Sequence, residues 1–75
     1  MAKILIADDE RRIRDLVQDS LESQGYEVLA AADGAEALDI FSEDGDIALV
    51  ILDVMMPHYD GWTVCREIRK KSQVP

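Results

Sequence analysis

The sequence predicts an α/β fold built on a short parallel sheet, and three observations predict it. Two short apolar runs, Lys3 to Ala7 (KILIA) and Ala48 to Leu52 (ALVIL), mark strands, and the second carries no polar alternation, the pattern of a strand covered on both faces. Between them the hydrophobic spacing changes to three and four residues, the period of a helix. Each apolar run also stops abruptly at acid, at Asp8-Asp9-Glu10 in one case and at Asp53 in the other. Open α/β sheets carry their chemistry at that carboxyl edge.

Lys3 to Ala7 is the first strand. From Arg11 to Gln24 the residues Ile13, Leu16, Val17 and Leu21 fall on one helix face, and Gly25 is placed to end the helix at C′. Asp9 or Glu10 at its start suits the helix dipole, so capping alone would account for Asp8 and Asp9 if Asp53 were ignored. Tyr26 to Ala32 (YEVLAAA) reads as a second strand, less branched and nearer an edge. Asp33 and Glu36 stand three apart, a capping-box spacing, ahead of a helix with Ala37, Leu38 and Phe41 facing inward.

Ser42 to Asp46 is an acidic turn that returns the chain to the third strand. Pro57 marks the turn after that strand, and Asp60-Gly61 opens a last helix with Val64, Cys65 and Ile68 inward. Arg69, Lys70 and Lys71 offset the negative pole at its end, and Ser72 to Pro75 (SQVP) reads as a linker towards a further strand. Cys65 is expected as a small buried hydrophobe, Trp62 as a packing residue and His58 as a solvated turn residue.

Composition narrows the function classes. With 75 residues, 48% hydrophobic and 32% charged, the chain forms at most one small folded domain and is not of disordered type. The net charge is −8, and basic residues fall only in Lys3 to Arg14 and Arg66 to Lys71, so no basic stripe for direct nucleic-acid contact exists. One cysteine forms no internal disulfide, no signal-type apolar region precedes the first strand, and no run approaches membrane-spanning length. The expected location is cytoplasmic.

If the first and third strands lie side by side, Asp8, Asp9 and Asp53 meet at one rim, with no basic residue expected near enough to neutralise them. Unit like charges ~4 Å apart repel by roughly 4 kcal/mol at an effective dielectric near 20, so the cluster needs a cation or a proton. Hard oxygen ligands suit magnesium, held by one or two carboxylates with waters and phosphate oxygens. Asp53 beside such a cation is a carboxylate nucleophile towards a phosphoryl group.

The acidic pair after the first strand, the Asp after the third and the MMPHYDG turn from Met55 to Gly61 together resemble the receiver domain of two-component response regulators. The resemblance runs from Met1 to Pro75. It implies a flavodoxin-like, doubly wound parallel sheet of order 2-1-3, reduced to βαβαβα, with the first helix on one face and the other two opposite. It also implies that Asp53 is the phosphoacceptor, served by a partner histidine kinase, in a signalling domain rather than an enzyme.

By the same resemblance Mg²⁺ is held by Asp9 directly, by Asp8 mainly through water, by Asp53, and by the Met55 backbone carbonyl, while Pro57 and Gly61 shape the loop. The family's fourth-strand Ser or Thr hydroxyl, fifth-strand Lys and aromatic switch residue would fall beyond Pro75. Residues 1–75 are therefore expected to be the N-terminal portion of one receiver domain, lacking the fourth and fifth βα units and weak in self-phosphorylation from small phosphodonors. The third strand is expected at a bare edge, which predicts a homo-oligomer, most simply a two-fold dimer. Two alternatives stand beside this reading. One is a half-domain, natural or designed, that self-assembles without signalling. The other is a haloacid-dehalogenase-like phosphatase, which needs a second acid where Met55 stands.

Overall fold

The computed structural model describes residues 2–53, 60–70, 72, 74 and 75. Its elements alternate strictly: β1 Lys3–Ala7, α1 Arg11–Glu22, β2 Glu27–Ala31, α2 Gly34–Glu43, β3 Ile47–Leu52 and α3 Gly61–Arg69. The three strands are parallel in the order β2-β1-β3, with Leu5 paired to Leu29 on one side and Val50 on the other. This is the α/β sheet the sequence predicts, in the predicted order.

Side chains of a strand alternate between faces, so β1 feeds two separate cores. Leu5 and Ala7 pack with Ala31, Ala37, Val64 and Ile68 beneath α2 and α3, whereas Ile4 and Ile6 pack with Val28, Val17 and Leu21 beneath α1. From Ile4 to Ala7 no residue is more than 3% exposed. The most enclosed strand is thus β1, and the expectation that the third strand is covered on both faces is corrected: Ala48 and Ile51 of β3 are exposed. Ala48 is the extra residue at an irregularity between the Lys3–Ile47 and Ile4–Leu49 pairs, and Ile51 lies beside Ile6 on the face of α1, a helix that packs on β1 and β2.

β3 is the edge strand that was expected, though its outer side is partly occupied. The Val50 amide donates to the Pro75 carbonyl at 2.9 Å, the Arg69 guanidinium donates to the Val74 carbonyl at 2.6 Å, and Val74 packs on the larger core. The tail expected as a simple linker thereby occupies part of the outer side of β3.

The helices start where short polar side chains replace missing helical partners. Asp33 accepts from the Glu36 amide and Asp60 from the Thr63 amide, each at 2.8 Å, so the expected cap at Asp33 is real and Asp60 caps the helix it was expected to open. Helix α1 ends at Glu22, two residues before the expected Gln24, and Gly25 lies one residue past C′ with φ 93°, a conformation that favours glycine. Its inward face is also rotated from the one expected. Arg14, Val17, Gln18 and Leu21 are the half-buried residues, while Ile13 and Leu16 are 43% and 65% exposed. Hydrophobic spacing located the stripe but not which edge of it meets the sheet. Among the described residues no helix is long and apolar enough to cross a membrane.

Candidate functional site

Parallel pairing carries Asp8 and Asp53 to the same level. Ala7 stands opposite Leu52, and the ladder continues one step further, with the Asp53 amide donating to the Ala7 carbonyl at 2.9 Å. On the other flank the Asp8 amide donates to the Ala31 carbonyl at 3.2 Å. Both acids therefore leave the sheet at its carboxyl edge from backbone that is still pinned to a neighbouring strand.

One carboxylate oxygen each from Asp8, Asp9 and Asp53 lies within 4.8 Å of the other two. Asp8 and Asp53 are half-buried and Asp9 is exposed. These are hard, anionic oxygen donors, a set that fits a small hard divalent cation such as magnesium. The three predicted side-chain ligands are brought together. Met55, whose carbonyl was expected to join them, lies with Pro57 and His58 outside the described residues.

The rim has a member that sequence reading missed. The half-buried Arg14 guanidinium donates through Nη1 to the Asp8 backbone carbonyl at 2.9 Å, so a basic side chain does reach this edge. Asp8 Oδ1 also accepts from the Glu10 amide at 2.8 Å, closing a short turn ahead of α1. Glu10, the N-cap residue, makes no capping bond with its own side chain.

At the start of α3, Gly61 is buried and the amide of Thr63 holds the Asp60 carboxyl below the usual carboxylate range. This supports the entry of α3 rather than the acidic cluster. Trp62, expected to pack, is instead 69% exposed, because its neighbours Gly61 and Val64 take the inward side of the first turn. Cys65 is only half-buried.

Comparison with known proteins agrees with this geometry. The response regulator receiver domain family matches residues 4–75. A probable transcriptional regulator ycf27 of Porphyridium aerugineum is 52% identical over 73 residues, which cover 97% of this chain and 30% of that protein. The chain thus spans about a third or less of the curated relatives it matches. Response regulator TrrA of Thermotoga maritima in complex with Mg(2+)-BeF is 45% identical, with a TM-score of 0.92 over 97% of this chain and 63% of that one. A structure of histidine kinase ThkA in complex with TrrA superposes with a TM-score of 0.89, at 45% identity, over 97% of this chain and 62% of that one. With the βαβαβα order, the acidic rim and a match from residue 4 to residue 75 in agreement, the chain belongs to the response regulator receiver domain family.

Proposed function

We propose that the chain is the phosphoacceptor part of a two-component receiver domain, taking a phosphoryl group from a histidine kinase onto Asp53 with Mg²⁺. The convergence of Asp8, Asp9 and Asp53 on one rim carries this reading. In the transfer an Asp53 oxygen attacks the phosphorus of a phosphohistidine. The P–N bond breaks, its electron pair leaves with the imidazole, which takes up a proton, and Asp53 keeps the group as an acyl phosphate.

Magnesium, when bound, offsets the charge of the phosphoryl oxygens. Asp9 and Asp53 are the direct carboxylate ligands in this proposal, with Asp8 acting through water and the Met55 carbonyl completing the set. The chain's own part is orientation: the hydrogen bond from the Asp53 amide to Ala7 fixes the nucleophile level with Asp8 before any donor arrives. TrrA is seen both with Mg(2+)-BeF and with a histidine kinase, which supports a cation and a kinase as partners here. The setting proposed is the cytoplasm, and no direct nucleic-acid contact is assigned to this segment.

Residues 1–75 correspond in this reading to the N-terminal portion of one receiver domain. From small phosphodonors alone, labelling of this segment is proposed to be slow. A second proposal concerns self-association. Ile13, Leu16 and Ile51 are 43%, 65% and 37% exposed on the α1 side of the sheet, apolar side chains that a homo-oligomer could cover.

Intact-mass measurement after incubation with acetyl phosphate and Mg²⁺, kept cold and neutral, tests the main proposal. One slowly acquired phosphoryl group is expected, and none in Asp53→Asn. Titration with Mg²⁺ followed by Trp62 fluorescence should saturate in the parent chain and fail in Asp9→Asn. Equal binding by that variant removes the rim as the cation site.

A further inference from the structure

Arg14 is the side chain at the rim for which neither the capping of α1 nor the chemistry of Asp53 accounts. It is half-buried in a helical turn where Arg11, Arg12, Ile13, Asp15 and Leu16 are all exposed, and its bond to the Asp8 carbonyl spans six positions of the chain. That bond completes a set. The Asp8 amide is held by Ala31 of β2, its carboxylate accepts from the Glu10 amide, and its carbonyl is held by Arg14. The carbonyl belongs to the planar peptide that leads into Asp9, so fixing it fixes the direction in which Asp9 leaves the strand.

We infer that Arg14 is a positioning residue for the cation site: acting through the Asp8–Asp9 peptide, it holds the two carboxylates where they converge with Asp53. The inference rests on the cation reading above and adds a residue that touches none of the reacting atoms. Two effects of the guanidinium oppose each other. As a positive charge on the Asp8 carbonyl it repels a divalent cation, and as an anchor it pre-organises the ligands. Positioning and counter-charge therefore predict opposite signs when the side chain is removed.

The experiment measures Mn²⁺ affinity by titration calorimetry in the parent chain, Arg14→Met, Arg14→Lys and Val17→Ala. Val17→Ala weakens the packing of the same helix without touching the rim, and so reports what loss of helix stability does alone. Arg14→Met should bind roughly 10-fold more weakly, as removal of an outer-shell partner typically does, with Arg14→Lys in between and Val17→Ala within about twofold of the parent. A metal-free readout accompanies it. Exchange of the Glu10 amide proton should speed up in Arg14→Met, while that of Thr63, bonded to Asp60 at the start of α3, stays constant.

Unchanged or tighter binding in Arg14→Met overturns the inference, as does an equal loss in Val17→Ala. Unchanged Glu10 exchange overturns the positioning itself. A parent chain that takes up no Mn²⁺ overturns the cation reading and the role of Arg14 in it, and faster Glu10 exchange in that case would support only the anchoring of the turn.

Discussion

The two faces of the sheet are built from the same central strand and packed very differently. Under α2 and α3, Leu5, Ala31, Ala37 and Val64 have no exposed surface. Under α1, none of that helix's own residues is fully buried, and Ile13 and Leu16 face solvent. Since β1 gives Leu5 and Ala7 to one side and Ile4 and Ile6 to the other, the difference does not arise in the strand. It arises in what lies over it, two helices against one. The doubly covered face supplies the close packing that keeps the carboxyl rim in place, and the singly covered face keeps surface in hand for contact with other elements or other chains.

The largest effect should separate the faces directly. Leu5→Ala empties the fully packed side, and large-to-small changes at such sites cost about 2–5 kcal/mol. That is comparable to the whole stability of many small domains, so the variant should be mostly unfolded by circular dichroism at 25 °C. Leu21→Ala, on the α1 side and already half-exposed, should cost about 1–2 kcal/mol and leave a shifted but cooperative urea transition. Equal losses would break the comparison.

How much of this was legible before the structure depends on which physical signal each residue carries. The bounds of β1, the cap at Asp33 and the helix start at Asp60 were readable because apolar runs and Asp-x-x spacings are local statements. The meeting of Asp8, Asp9 and Asp53 was readable because two parallel strands ending in acid must bring those acids to one edge. Arg14 was not, since a charged residue in a helix is ordinarily assigned to solvent, and only the geometry shows its stem lying inward with its head on a carbonyl. Trp62 and Ile51 were misplaced for a related reason. Large apolar residues are inside only where another element covers them, and periodicity does not say where cover ends.

A smaller effect on stability sharpens the contrast on the open face. Leu16→Lys replaces an exposed side chain and should change the urea midpoint by no more than about 0.5 kcal/mol in folding free energy. Its consequence should instead be in association. If the exposed surface of Ile13, Leu16 and Ile51 pairs two copies, sedimentation across a dilution series should show the parent dimerising and the variant monomeric at the same concentration. A parent that is a compact, cooperatively folded monomer at all concentrations would show that the open face needs no partner to stay folded.

The smallest effect concerns whether the packed face owes anything to charge. Lys3 at the start of β1 reaches Asp44 after α2, Nζ to Oδ2 at 2.9 Å, and ties the first strand to the turn that returns to β3. The bond to Lys3 lowers the Asp44 carboxyl from its ordinary value, helped by the Asp46 amide, and the same bond raises the Lys3 ammonium. A depressed carboxylate adds stability that is present above its unfolded value near 4 and disappears as pH falls through the lower folded value. A raised ammonium adds stability that is complete below its unfolded value near 10.4 and disappears as pH rises through the higher folded one. The pair should thus contribute evenly across neutral pH and fail only at the two extremes. Each side chain keeps about a quarter of its surface in water, so the contribution is that of a screened surface pair, well below the loss expected for Leu5→Ala. Urea midpoints of the parent and Lys3→Met should differ slightly at pH 7 and draw together as the pH is lowered below about 4. A gap that is unchanged there would mean that the lysine stem, packed along the sheet, matters and its charge does not.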